Sequence, residues 1–343
     1  MADRINQFDR QEGTSDAWHH KTIVKDRITL ADNWLNEWDI VPVILSKHGQ
    51  DTKWRVLECT DNPELEVGAA YNSETFRPIN NREFLDLIEA SIAGTNAEIV
   101  SVGSVRNRGR VFVSLKLAGH EKFEAAGHNF NAYLNFGNGH DKSSVLWVNT
   151  SNIDTVCDNT FSCNLFAVEN ARRAMEAANA NAVAVRQRHT VNAKLRFPAV
   201  AQLIDRAVGA QSQFAENFTK FDAITVSEKD AREIFAGLIS RDVKPALVVG
   251  GLSNRGVQKT DRLVDLFLNG RGNRGATLAD AFSAVTDFYT HENVRGNDPA
   301  KQFASSEFES GALVKQEFYS LAQQPVKLQE VQAHGAALLS YTE

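Results

Sequence analysis

The stretch that decides the fold is Glu98–Leu117, with the sequence EIVSVGSVRNRGRVFVSLKL. Two runs rich in β-branched residues flank a turn at Asn107 and Gly109, and this pattern predicts a β-hairpin. Its tip and second strand carry four cations and no acid: Arg106, Arg108, Arg110 and Lys116. Guanidinium groups on an exposed ribbon suit phosphate because each presents a rigid, planar fork of donors. The hairpin is therefore the first candidate for a phosphate-binding surface.

Strand patterns lie on both sides of this hairpin, whereas helical patterns dominate later in the chain. Ile40–Leu45 and Trp54–Cys59 precede it as predicted strands, and Asn80 is placed to cap a helix. Phe130–Phe136 and Ser144–Val148 follow as another strand pair. Helical spacing predicts helices at 194–219 (one or two), 227–239, 255–268, 278–289 and 303–320. The sequence therefore predicts an α+β protein, with a β-hairpin-rich N-terminal half packed with a helix-rich C-terminal half.

These patterns divide the chain into four segments. A flexible N-terminal arm is predicted at 1–22, because these residues are polar and lack periodicity. The β-rich part with the basic hairpin spans 23–153, and the helix-rich part spans 154–320. Residues 321–343 are left as a C-terminal tail.

The composition is that of a globular protein, with 343 residues, 43% hydrophobic and 23% charged residues, and a net charge of −6. No run approaches about 20 apolar residues, so no membrane span is expected. The N-terminus lacks an apolar signal core, and three cysteines (Cys59, Cys157 and Cys163) lack the spacing of a metal site. A cytoplasmic protein with no metal, no cofactor and no membrane partner is expected.

Basic residues also concentrate in two later segments of this acidic chain. Residues 171–197 hold six bases against one acid, and 255–275 hold five bases against two. If the first segment is helical, Arg186 and Lys194 lie on one face and could follow a phosphate backbone. The candidate contacts in the two segments are Arg172, Arg173, Arg186, Arg188, Lys194, Arg271 and Arg274. The alternative interpretation is that these residues are ordinary charged side chains on a solvent-exposed surface.

Other residue types give weaker indications of chemistry. A nucleophilic Cys157, beside Asp158, would need His189 as a base, and apolar flanks favour a buried, structural cysteine instead. The tryptophans of the first third are interpreted as core and interface anchors: Trp18, Trp34, Trp38 and Trp54. No catalytic residue is predicted.

The order of several motifs resembles a known family. The motifs are Ala17-Trp18-His19, Tyr71-Asn72, Ile79-Asn80-Asn81-Arg82-Glu83-Phe84, Gly109-Arg110-Val111-Phe112-Val113, Val156-Cys157-Asp158-Asn159-Thr160, Arg188-His189-Thr190 and Ala284-Val285-Thr286-Asp287-Phe288-Tyr289-Thr290-His291. Together they resemble the phage- and plasmid-borne family of domain of unknown function 932, over roughly residues 15–295.

The architecture of that family is distantly similar to single-strand annealing recombinases of phages. This resemblance implies a protein of a mobile element, in the cytoplasm of a bacterial host, that binds single-stranded DNA and anneals complementary strands without ATP. It implies a homo-oligomer, a ring or a filament, that works beside a phage nuclease or a host protein. Two alternatives stay open: an interaction factor that antagonises host defence or helps assembly, and an enzyme that uses Cys157 and His189.

Overall fold

A computed structural model describes these residues of the chain: 20–23, 34–65, 67–95, 97–105, 108–117, 122–142, 146–154, 160–162, 185–192, 200–242, 251–293, 305–306 and 310–341. In them a β-rich first half precedes a helical second half, which confirms the predicted α+β class. No helix within these ranges combines the length and the apolar character needed to cross a bilayer.

The strands form two antiparallel sheets. They are β1 (His20–Ile23), β2 (Ile40–Lys47), β3 (Gln50–Cys59), β4 (Tyr71–Asn72), β5 (Ala97–Val105), β6 (Arg110–Leu117), β7 (Lys122–Ala125), β8 (His128–Gly139), β9 (Leu146–Asp154), β10 (Thr160–Ser162) and β11 (Val185–Gln187). The larger sheet has the order β1-β5-β6-β8-β9-β10, with β7 also paired to β8 and β11 also paired to β9. The smaller sheet has the order β2-β3-β4.

Within the described residues, one α-helix lies in the β-rich half, after a short 3₁₀-helix at Trp34–Asn36, and the other α-helices follow β11. They are α1 (Asn81–Ile92), α2 (Val200–Asp222), α3 (Glu228–Asp242), α4 (Asn254–Asn269), α5 (Leu278–His291), α6 (Ser310–Ala322) and α7 (Pro325–Ser340). Asn80 caps α1 as predicted, because its side chain accepts a hydrogen bond from the Glu83 N–H. The Asp39 carboxylate also accepts from the Asn81 N–H at 2.7 Å, which places an anion at the positive end of the helix.

The predicted hairpin at Glu98–Leu117 is confirmed as β5 and β6, whose register ends with Val105 opposite Arg110. The two predicted strands on each side of it are also present, as β2–β3 and β8–β9. The β2–β3 hairpin closes through His48 and Gly49, both with positive φ, which is the backbone conformation of a two-residue turn between twisted strands.

The larger sheet and the helices share a hydrophobic core. Phe130 of β8 lies 5.2 Å from Phe214 and 5.3 Å from Phe218, ring centroid to ring centroid, and both partners belong to α2. Phe123 of β7 adds a contact with Phe214 at 6.0 Å. A second core joins α1 to the two sheets, with Phe84 and Ile88 fully buried.

Two segments differ from the sequence-based expectation. The helix considered above for Arg186 and Lys194 is wrong at Arg186, because Val185–Gln187 form β11 and pair with β9. Residues 321–343, left above as a tail, contain α7, which packs on α3. The contact depends on small residues: a Cβ added to Gly335 would lie 1.8 Å from the Glu233 carbonyl oxygen.

Candidate functional site

The tip of the basic hairpin is buried rather than exposed. Arg108 is only 4% exposed, and its guanidinium forms a two-pronged ion pair with the Asp61 carboxylate. The same guanidinium stacks over the Trp38 ring, with 4.5 Å from Cζ to the ring centroid. Arg110 is 7% exposed, and its backbone pairs with β5 and β8. The expectation that both arginines lie on an exposed ribbon is therefore wrong.

The surroundings of Arg108 explain its charge state. Burial alone would lower the pKa of the guanidinium, but hydrogen bonds to Asp61 and Cys59 raise the pKa above its ordinary value. Burial in turn raises the pKa of the Cys59 thiol. Arg108 is thus a permanently charged group inside the β-rich half, and its described contacts are those of a structural residue.

The other predicted contact residues are scattered. Lys116 is half-buried, opposite Glu98 in the register, whereas Arg188 and Arg271 are exposed. Arg274 is exposed and forms an ion pair with Asp222. Arg186 lies in β11 opposite Trp147. Four of the predicted residues lie outside the described ranges: Arg106, Arg172, Arg173 and Lys194.

Of the three residues of the enzyme alternative, the structure describes His189. Cys157 and Asp158 lie outside the described residues. His189 is buried, its ring stacks on Phe76 at 5.6 Å, and burial lowers its pKa to about 4. Its imidazole is therefore neutral at neutral pH.

Several cations lie near Phe76 and His189, and of these Arg55 is half-buried whereas Lys142 is exposed. The backbone of Arg55 pairs with Tyr71, and the Tyr71 and Phe76 rings are 5.3 Å apart. Lys142 Nζ lies 5.6 Å from the Tyr71 ring and 5.8 Å from the Phe76 ring, which are cation–π distances. Arg188 follows, exposed, directly before His189.

We call this group the cationic surface, and it comprises Arg55, Phe76, Arg77, Lys142 and Arg188. Arg77 belongs to it because its N–H donates to the His189 carbonyl oxygen at 3.3 Å, while its guanidinium pairs with Glu83 at 2.7 Å. Partial burial lowers the pKa of Lys142. Among the sequence-predicted residues, only Arg188 belongs to this surface.

The β2–β3 hairpin presents a second exposed feature, on its other face. Val43 pairs with Val56, and alternation along each strand places Val41 and Trp54 on that same face. Trp54 is 45% exposed and Val41 is 41% exposed. We call these four residues the apolar ribbon face. Trp38 is a core anchor as predicted, whereas Trp54 is not part of the core.

These features define a class of protein: an α+β fold with a buried basic hairpin, a cationic surface and an exposed apolar ribbon. The profile of the family described as "Domain of unknown function (DUF932)" matches residues 70–315, and the chain belongs to that family. The match includes the buried hairpin and His189, and it begins after the apolar ribbon face. No curated protein and no solved structure matches the chain significantly.

Proposed function

We propose that this protein binds single-stranded nucleic acid at the cationic surface and anneals complementary strands without ATP. The observation that carries the binding proposal is Lys142 Nζ at 5.8 Å from the partly exposed Phe76 ring, with the exposed Arg188 directly before the His189 that stacks on this ring. Cations that hold phosphates, next to an aromatic ring that contacts bases, are the usual components of a single-strand binding surface. The annealing step rests on the resemblance in architecture to phage recombinases, which is an argument from analogy.

The first test reduces the charge of this surface. Lys142→Gln combined with Arg188→Gln is expected to weaken binding of a labelled single-stranded oligonucleotide about tenfold at low salt, because two phosphate contacts are lost. The slope of log affinity against log salt should fall by about 1.4, since each contact to a single strand contributes about 0.7. Fluorescence anisotropy at several salt concentrations measures both quantities.

The matched control removes the same charge elsewhere. Lys229 and Lys327 are exposed on α3 and α7, and the pair Lys229→Gln with Lys327→Gln should leave the affinity unchanged. Equal affinities for the wild type, the surface variant and the control would reject the cationic surface. If the wild type binds, mixing complementary labelled strands without ATP then tests annealing by energy transfer.

We also propose that the apolar ribbon face joins two copies of this chain in a homo-oligomer. The face presents Val41 and Trp54 to solvent, and uncovered apolar patches on a ribbon commonly mark protein interfaces. β2 ends the smaller sheet of the described residues, and Pro42 has no N–H to donate there. Contact through the face is therefore favoured over addition of a further strand at the edge.

Light scattering after gel filtration tests the interface. Val41→Lys combined with Trp54→Lys should shift the protein to a smaller species, because burying two ammonium groups in an apolar contact is costly. Val326 is 70% exposed on α7, so Val326→Lys is the matched control and should keep the wild-type mass. A monomeric wild type would reject this interface and favour the second candidate function, in which the exposed face meets a host or phage protein.

A further inference from the structure

Four buried polar side chains lie around the segment 76–81. Asn138 donates from Nδ2 to the Ile79 carbonyl oxygen at 2.9 Å, and Asn81 donates from Nδ2 to the Trp38 carbonyl oxygen at 2.9 Å. His140 meets the Trp38 ring edge-on, with 6.0 Å between the centroids. His189 is tied to the same segment by its stacking on Phe76 and by the Arg77 N–H.

Each of these side chains keeps a buried polar atom for which the described part of the chain offers no hydrogen-bond partner. The atoms are Asn81 Oδ1, Asn138 Oδ1, His140 Nε2, and both ring nitrogens of His189. All four residues are at least nine-tenths buried. A native interior rarely leaves one such atom unsatisfied, so several of them in one region need a common explanation.

The partners that these side chains do have determine what the remaining atoms can be. Because both Asn Nδ2 groups donate to carbonyl oxygens, the two Oδ1 atoms are fixed as acceptors. His140 Nδ1 lies 3.0 Å from the Arg108 carbonyl oxygen, so Nδ1 carries the proton and Nε2 presents a lone pair. In Asn81, Asn138 and His140 the unsatisfied atom is therefore an electron-pair donor.

One cation would satisfy several of these buried electron-pair donors at once. We propose that His140 Nε2, a ring nitrogen of His189, and the amide oxygens of Asn81 and Asn138 bind one divalent transition-metal ion such as Zn²⁺. Imidazole nitrogens are the ligands that such ions favour, and a metal-bound histidine commonly donates its other ring N–H to a carbonyl oxygen, as His140 does. No three His, Cys, Asp or Glu side chains gather within the described ranges, so the amide oxygens complete this site.

The electrostatics of the region are compatible with that ion. Burial lowers the pKa of both His140 and His189, so both imidazoles are neutral, which is the form that binds metal. Among the nearby cations, Arg108 pairs with Asp61 and Arg77 pairs with Glu83, while Lys142 and Arg188 of the cationic surface are exposed to solvent. Asp39 and Asp141 both lie close enough to His140 to oppose this lowering of its pKa.

Metal uptake by the purified full chain tests the proposal. After incubation with Zn²⁺ and exhaustive dialysis, we expect one equivalent of zinc per chain, measured by elemental mass spectrometry. Co²⁺ in place of Zn²⁺ should give visible absorption bands that report nitrogen and oxygen ligands. Wild-type protein that retains no metal would overturn the proposal without any variant.

The variants assign the site. His140→Ala and His189→Ala should each weaken Zn²⁺ binding at least tenfold by titration calorimetry, whereas His334→Ala, at an exposed position on α7, should bind like the wild type. Circular dichroism identifies any variant that fails to fold, and His140→Gln or His189→Gln then replaces the alanine variant at the same position. Zinc that stays bound in both histidine variants, or preferential binding of Ca²⁺, would reject this ligand set.

Discussion

Replacing Arg108 by Met is expected to lower the free energy of unfolding by about 2–4 kcal/mol. The substitution leaves the Asp61 carboxylate without its two-pronged partner and removes the cation stacked over Trp38. Asp61 is only partly buried and can regain water, so the expected loss is smaller than for a fully buried ion pair. Urea unfolding at neutral pH, followed by circular dichroism, measures the change.

Two further variants separate the ion pair from a general effect of losing charge. Arg271→Met removes an exposed guanidinium, and we expect a change within about 0.5 kcal/mol. Asp61→Asn combined with Arg108→Met closes a double-mutant cycle, and its coupling energy should be clearly different from zero. A fully stable Arg108→Met variant that loses oligonucleotide binding would restore the hairpin tip as a phosphate contact.

Replacing Gly335 by Val is expected to cost about 3 kcal/mol or more, because α7 and α3 touch backbone to backbone there. An added Cβ would lie 1.8 Å from the Glu233 carbonyl oxygen and 2.7 Å from the Gly237 nitrogen. Neither atom can rotate away as a side chain could, so α7 must shift or detach. The variant should unfold at a lower temperature and should be cut faster by protease within α7.

The control is a glycine with open space around it. Gly209 lies in α2, and no described residue has an atom within 4 Å of its added Cβ. Gly209→Ala should therefore raise the free energy of unfolding by about 0.5–1 kcal/mol, since alanine favours the helix. Wild-type stability in Gly335→Val would show that α7 does not pack on α3 in solution.

Sequence patterns predicted the elements that depend on local signals. The hairpin at Glu98–Leu117 followed from its alternating residues and its turn, and α1 followed from the Asn80 cap. The periodicity of Leu278–Tyr289 likewise marked α5. These signals lie within a few residues of the structure that they specify, so one sequence is enough to find them.

Long-range contacts explain what the sequence could not supply. The burial of Arg108 depends on Asp61 and Trp38, which lie far away in the chain and carry no mark of that pairing. The segment at Arg186 forms a strand because it pairs with the edge of β9, whereas its own composition did not distinguish a helix from a strand. α7 was not predicted because only Val331, Gly335 and Leu338 of its residues are buried, which leaves a weak periodic signal in the sequence.

The cationic surface was predicted only through Arg188. Lys142 and Phe76 come from different loops, and nothing in their local sequence connects them. The sequence contains both histidines, but which of their ring nitrogens are buried and unsatisfied can be seen only in the folded chain. Trp54 was expected to anchor a core or an interface, and its exposure on the ribbon leaves the interface role as the one to test.

The core shared by Phe130 and α2 has a practical consequence for dividing this protein into fragments. β10 and β11 come from beyond residue 154, yet both complete the larger sheet along β9. A fragment that stops at 153 would lack these two edge strands and would expose the ring of Phe130 that α2 covers. Such halves should be insoluble when expressed alone and should recover solubility when produced together, so the change in composition near residue 154 is not a place to truncate the gene.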